Sequence, residues 1–157
     1  MLNIGPPSDE IQRLLPVALL KEAEDNTIQG ITRFQKLVFI LQKGDLIDKS
    51  SLDENQEYEY EPHNYGPYSK ELHDWLDRLS RKGIINKDST STSAGNQKEI
   101  FTLNKAEIDQ EFDLSGLDDD FEDRVTATVD EFNHMSILEL LDIVYDEYPE
   151  YAVNSNL

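Results

Sequence analysis

A capped amphipathic helix constrains the fold of this chain more than any other feature. Ser69 is a favourable N-cap residue, and Gly83 is placed to end the helix on its carboxyl side. Between them the apolar residues recur at helical spacing: Leu72, Trp75, Leu76 and Leu79. The sequence therefore predicts a helix from Ser69 to Lys82 with one buried face.

The residues after this helix have the pattern of a β-hairpin. Ile84 and Ile85 form one apolar segment and residues 99–103 form another, while residues 89–97 between them are rich in Ser, Thr, Gly and Asn. A helix followed directly by a two-stranded arm is how winged-helix domains present a recognition helix and a wing. We predict an α+β fold: a winged-helix-like domain with a β-hairpin wing and a helical C-terminal extension.

Two helices are predicted before this segment. Pro16 is expected to kink the first or to mark its start, which favours a helix from about Pro16 to Glu24. The second runs from about Thr32 to Lys43 and is expected near the centre of the core. Its polar positions predict a basic face: Arg33, Gln35, Lys36, Gln42 and Lys43.

A strand and a corner are predicted between the second helix and the capped helix. Tyr58 and Tyr60 alternate with glutamates, which is the period-2 pattern of a strand over Tyr58–Glu61. The sequence Tyr65-Gly66-Pro67-Tyr68 then predicts a rigid corner. Together these elements make up a predicted domain of residues 1–104, and residues 105–157 are predicted to form an acidic helical extension packed on it.

The charge of the chain has two interpretations. Acids number 33 against 14 bases, and residues 101–157 alone hold 16 acids and 2 bases. Acids spread along every segment favour adaptation to high salt, where screening removes self-repulsion. The alternative is that residues 107–131 act as an acidic decoy for a basic nucleic-acid site.

The residue inventory offers little for catalysis. The chain has no cysteine and no glycine-rich phosphate loop, and its three histidines fall in separate predicted elements. His73 and Asp77 have the i, i+4 spacing of a metal pair, but an exposed helical pair is the simpler interpretation. We predict no enzyme activity, catalytic residue, cofactor or metal site, and the absence of long apolar segments predicts a cytoplasmic protein that does not enter membranes.

Several short motifs carry a family resemblance. Thr32–Phe39, Tyr58–Tyr60 and Asn64–Leu72 resemble the YwgA-like proteins, and the lysine-leucine helix followed by a Tyr-Gly-Pro corner is similar to the Panacea or SocA-like antitoxin domain. The tail Ile143–Tyr151 resembles that of many relatives, and the acidity resembles a halophilic archaeal member. The resemblance implies a winged-helix-like α+β domain, and some Panacea members neutralise toxins by direct protein contact.

The predicted function is a non-enzymatic protein-interaction or regulatory module, antitoxin-like, whose partner is a protein such as a toxin. Homodimer formation is left open. The predicted partner-binding residues are Tyr65, Tyr68, Lys70, His73, Arg78, Arg81 and Lys82. The alternative is a DNA-binding regulator that uses the capped helix and the wing, through Arg33, Lys36, Arg78, Lys82, Lys87 and Lys98.

Overall fold

The computed structural model describes residue 7, residues 9–91 and 97–105, residue 114 and residues 117–153. In this part of the chain the fold is α+β, with helices around two small antiparallel sheets. The elements in chain order are α1 (Glu10–Glu22), β1 (Thr27–Gln29), α2 (Ile31–Lys43), β2 (Glu61–His63), β3 (Gly66–Tyr68), α3 (Lys70–Arg81), β4 (Ile85–Ser91), β5 (Gln97–Leu103), α4 (Asp119–Phe132) and α5 (Ile137–Glu147). No helix in the described ranges is long and apolar enough to cross a membrane.

Helix α2 lies at the centre of the core, as its apolar pattern predicts. Nine consecutive residues of the helix, positions 34–42, are buried. Six of them are apolar and have no exposed surface: Phe34, Leu37, Val38, Phe39, Ile40 and Leu41. The ring of Phe34 meets Phe101 of β5 edge to face at 5.3 Å, and that of Phe39 meets Tyr60 at 5.0 Å. Helix α2 therefore joins the three-stranded sheet to the segment that leads into β2.

The larger sheet has the strand order β1-β5-β4. Strands β4 and β5 form a hairpin from the pair Ile85 and Leu103 to the pair Ser91 and Gln97, and β1 pairs with β5 through Ile28 opposite Phe101. This confirms the predicted hairpin after α3. The ladder extends further toward the tip than predicted, and residues 92–96 lie outside the described part of the chain.

The predicted strand over Tyr58–Glu61 is wrong. The smaller sheet is instead a hairpin of β2 and β3, in which Glu61 faces Tyr68 and His63 faces Gly66. The Tyr58 backbone is engaged by the Gln42 side chain of α2, which accepts from its N–H at 3.0 Å and donates to its carbonyl at 2.9 Å. The Gln42 amide therefore bonds the Tyr58 N–H and carbonyl, which are the two groups that a neighbouring strand would bond.

The prediction that α1 begins near Pro16 is also wrong. The helix starts at Glu10, with the Asp9 side chain accepting from the Gln12 N–H at 3.1 Å, and Pro16 lies inside it. A proline has no N–H to donate to the carbonyl four residues back, here that of Gln12. The Tyr58 hydroxyl supplies the missing donor at 2.8 Å, so a distant residue allows the helix to continue past the proline.

Helices α4 and α5 pack on α1 and α2 and share their hydrophobic core. Asp118 caps α4 by accepting from the Phe121 N–H at 2.8 Å, and Ser136 caps α5 by accepting from the Glu139 N–H at 3.2 Å. Their buried apolar side chains are Phe121, Val125, Val129, Phe132, Leu140, Leu141 and Val144. Arg124 is buried among them and donates to the Leu41 carbonyl of α2 at 2.7 Å.

Candidate functional site

Buried polar side chains of α2 hold the segment from residue 57 to residue 69 in place. Gln35, Lys36 and Gln42 are at most 2% exposed, so the predicted basic face of α2 is wrong at these three positions. Each bonds the backbone of this segment: Gln42 at Tyr58, Lys36 at Pro67 and Gln35 at Ser69. These three polar residues face the protein because the segment that they bond covers this part of α2.

The corner formed by β2, β3 and their turn packs closely against α2 and α5. Gly66 has φ +85°, and a Cβ atom there would lie 3.1 Å from Cδ2 of Leu141 and 3.2 Å from Cε of Lys36. Glycine is therefore required both by the backbone conformation and by the close approach of these side chains. The neighbouring Tyr65 is 48% exposed, so the turn presents an aromatic ring to solvent on a fixed backbone.

A cavity of about 320 Å³ opens beside this turn. One wall comes from the start of α2 and includes Ile31, Thr32 and Lys36; the opposite wall comes from the hairpin and includes His63 and Tyr65. The Lys36 Nζ donates to the Pro67 carbonyl at 3.0 Å, and burial lowers its pKa to about 7. Within the described ranges no carboxylate lies within ion-pair distance of this amine.

Tyr68 connects the hairpin to α3. Its ring lies 4.5 Å from that of His63, and its hydroxyl lies 2.7 Å from Nδ1 of His73. Burial, and then the charges of Asp74 and Asp77, raise the pKa of Tyr68. The hydroxyl therefore stays protonated at neutral pH. No group of three or more metal-ligating side chains occurs where the structure describes the chain.

The predicted partner-binding residues fall into two groups. Tyr65, Tyr68 and His73 lie at the corner, and Lys70 begins α3 beside them with its Nζ 3.2 Å from Asp74. Arg78, Arg81 and Lys82 lie at the other end of α3, roughly 15 Å along the helix axis from Lys70 at 1.5 Å per residue. A single partner side chain can reach only one of these groups.

The residues predicted to contact DNA are largely engaged within the protein. Arg33 donates to the Asn133 and Met135 carbonyls at 2.8 and 2.6 Å, and burial lowers its pKa. Lys87 lies 3.0 Å from Asp77, and Lys98 donates to Gln29 at 3.0 Å. Lys36 does not lie on an open surface as the DNA-binding prediction requires: it is buried except where it borders the cavity at the corner, and its amine bonds the Pro67 carbonyl.

The proposed acidic decoy overlaps only in part with the described structure. Residues 107–113 lie outside the described ranges. Asp118 caps α4, and Asp120 lies 2.9 Å from the Lys49 amine, which lowers the pKa of this carboxyl. Asp118 and Asp120, two of the three consecutive aspartates at 118–120, therefore have local structural roles.

Several residues at or near the candidate site are not identified by the sequence. Gln35 and Gln42 are seven residues apart on one face of α2, yet an amide gives no signal in the sequence that distinguishes a buried position from a solvated one. His63 also lines the cavity and was absent from the predicted site. Its position two residues before the Tyr-Gly-Pro motif is the only available signal.

Known proteins give this chain no assignment. No protein-family model matches it, and no curated protein matches it. The resemblance in the Tyr-Gly-Pro corner remains a prediction, and the function is inferred from the geometry of the site.

Proposed function

We propose that the chain is a non-enzymatic protein-interaction module, antitoxin-like in its regulatory role, built on a winged-helix-like scaffold. The element order α1, β1, α2, α3, β4, β5 and the strand order β1-β5-β4 support this scaffold. The β2–β3 hairpin is inserted between the second and third helices, where a helix-turn-helix would have a short turn.

The observation that carries the proposal is the exposure of Tyr65 beside the cavity. Tyrosine is enriched at the energetic centres of protein interfaces, where it combines a large apolar ring with a hydroxyl. The Tyr65 turn is held on one side by the bond from Lys36 to Pro67 and on the other by the packing of His63 on Tyr68. A side chain presented from a held backbone loses less conformational entropy on binding than one on a mobile loop.

DNA binding is the second proposal, and the charges on α3 argue against it. Glu71, Asp74 and Asp77 lie on the helix that would enter the groove, where they would meet phosphates and base acceptors. Lys87 is partly neutralised by Asp77 and Glu99. The exposed cations Arg81 and Lys82 at the end of α3 are the remaining support for this alternative.

A pull-down in molar KCl with a tagged full-length chain tests the first proposal. The wild type is expected to retain a stoichiometric protein, and Tyr65→Ala is expected to lose it. Leu138→Ala is the matched control, because Leu138 is an exposed apolar residue on α5 at 65% exposure. Equal retention of the partner by Tyr65→Ala and Leu138→Ala would show that Tyr65 does not form the contact with the partner.

The DNA-binding alternative has its own measurement. A mobility shift of the promoter fragment upstream of the chain's own gene, lost in the double variant Arg78→Glu with Lys82→Glu, would favour it. Absence of a shift at every salt concentration would exclude it.

A further inference from the structure

We propose that the cavity beside Tyr65 binds a carboxylate, provided by an aspartate or glutamate side chain of the protein partner, with Lys36 as its counter-ion. This deepens the proposed function and rests on it.

Lys36 is the one buried lysine in the described ranges, and unlike the partly buried Lys98, which bonds the Gln29 amide, it lies in the core. Lys43, Lys49, Lys70 and Lys87 each have a carboxylate oxygen within 3.4 Å of Nζ. Lys36 is 2% exposed, and the neutral carbonyl of Pro67 is its hydrogen-bond partner. A buried ammonium is costly unless it is paired, so this position favours an incoming anion.

Among the described residues, the walls of this cavity hold no carboxylate, although acids outnumber bases by 33 to 14 in the chain. Four other surface cavities within the described ranges each have at least two acidic residues in their walls. Here the basic side chain in the walls is Lys36, with Thr32 and Asn64 as polar neighbours. His63 also lines the cavity, and its Nε2 already lies 3.0 Å from the Glu61 carboxylate. The composition suits an anion in a protein whose surface otherwise repels anions.

The size of the cavity limits the ligand to a small group. About 320 Å³ is near the lower end of the range of roughly 300–1,000 Å³ for small-molecule sites. Tyr65 and Tyr68 add aromatic surface at the lip, which suits the methylene groups of an acidic side chain that enters from a partner surface. An aspartate or glutamate side chain therefore matches this site, because its carboxylate can lie beside Lys36 while its methylene groups contact the tyrosine rings.

Binding is expected to be linked to proton uptake. Burial lowers the pKa of Lys36 to about 7, and a carboxylate beside the amine favours the charged form and raises that pKa. The titratable groups that line the cavity beside Lys36 are His63, Tyr65 and Tyr68, and the Glu61 carboxylate is paired with His63. Tyr145 of α5 packs on the other side, with its ring 3.4 Å from the Cβ position that a residue in place of Gly66 would have. Between pH 7 and 9 the affinity should fall as the pH rises, because Lys36 loses its proton over this range.

Acetate is the probe for the carboxylate. The ¹³Cε chemical shift of Lys36 is followed against pH in full-length protein, with acetate or with chloride at the same ionic strength. Acetate is expected to raise the Lys36 pKa by about one pH unit in a saturable manner, which corresponds to roughly tenfold tighter binding to the charged form. Lys70, which is exposed, is the internal control, and its ¹³Cε chemical shift should not differ between the two salts.

Two variants complete this experiment. Lys36→Met assigns the resonance and should abolish acetate binding. Because Lys36 is buried, a second variant keeps the lysine: Asn64→Asp places a carboxylate in the cavity wall, which should raise the Lys36 pKa without acetate and prevent any further rise with it. An identical Lys36 pKa in acetate and chloride would overturn the proposed site.

The source of the carboxylate is tested separately from the proposed function. Acetate at a concentration that saturates the site should elute the partner from the wild-type protein, while chloride at the same ionic strength should not. Acetate that binds without eluting the partner would overturn the assignment to a partner side chain. Failure of the wild type to retain any protein in molar KCl, in contrast, would refute the proposed function whatever acetate does.

Discussion

The Gln35 side chain holds the Ser69 backbone through two hydrogen bonds. Its Nε2 donates to the Ser69 carbonyl at 2.9 Å, and its Oε1 accepts from the Ser69 N–H at 2.9 Å. Ser69 is at the same time the N-cap of α3, where its hydroxyl accepts from the Leu72 N–H at 3.1 Å. The start of the helix beside the candidate site is therefore anchored to the central helix of the core.

Gln35→Met should destabilise the fold through this pair. The Ser69 carbonyl keeps a donor in the His73 N–H at 3.1 Å, but the buried Ser69 N–H loses its acceptor. A buried donor without a partner costs about 1–3 kcal/mol, so the free energy of unfolding in urea should fall by that amount. Gln29→Met, at an exposed position of β1, is the control and should change it by less than about 0.5 kcal/mol. Equal losses in both variants would contradict the anchoring role.

Tyr58→Phe should be costly because of Pro16. The variant removes the hydroxyl that donates to the Gln12 carbonyl, which the proline leaves without a helical donor. We expect a loss of about 1–2 kcal/mol in the free energy of unfolding. In a Pro16→Ala background the alanine N–H is able to bond that carbonyl, so the same Tyr58→Phe change should cost less than half as much. A double-mutant cycle measured by urea denaturation gives both values, and equal costs in the two backgrounds would refute the coupling.

Lys36 should give the protein a distinctive dependence of stability on pH. Its pKa is about 7 in the folded protein and about 10.5 in the unfolded chain, so between these values the unfolded chain holds more protons. Stability should therefore rise from pH 7 toward pH 9.5, with a slope that approaches about 1.4 kcal/mol per pH unit. Urea denaturation at several pH values should show this rise in the wild type and a flat profile in Lys36→Met. Equal dependence of the unfolding free energy on pH in the wild type and in Lys36→Met would indicate that the Lys36 amine keeps its ordinary pKa.

Arg124 should be needed to hold α4 on the core. It donates to the Leu41 carbonyl at 2.7 Å and to the Ser50 carbonyl, so one side chain joins α4 to the end of α2 and to the following loop. Arg124→Met should lower the free energy of unfolding by roughly 2–4 kcal/mol, because bonds from a charged donor are lost at a buried position. Arg81→Met at an exposed position of α3 is the control, with an expected change below about 0.5 kcal/mol. A loss for Arg124→Met no greater than that of the control would contradict this role.

The accuracy of the sequence predictions depended on the range of the interactions involved. The ends of α3 were predicted correctly because the Ser69 cap and the terminating Gly83, at φ +82°, act within one turn of the helix. The strand at Tyr58 was predicted wrongly because the partner of its backbone is a glutamine 16 residues earlier in the chain. At the candidate site the exposure of Tyr65 and the link from Tyr68 to α3 lay within the predicted corner, whereas Gln35 and His63 were missed.

The capped helix, the hairpin after it and the helical character of the C-terminal extension can be read from the sequence, since apolar spacing, caps and glycines are short-range signals. Which polar residues are buried depends on the packing of the whole fold. Lys36 becomes a buried amine because the corner with Gly66 and α5 with Leu141 close over α2, and helix periodicity alone cannot show that a charged position will be covered. Solvent exposure depends on every element packed around a residue, and these elements come from distant parts of the chain.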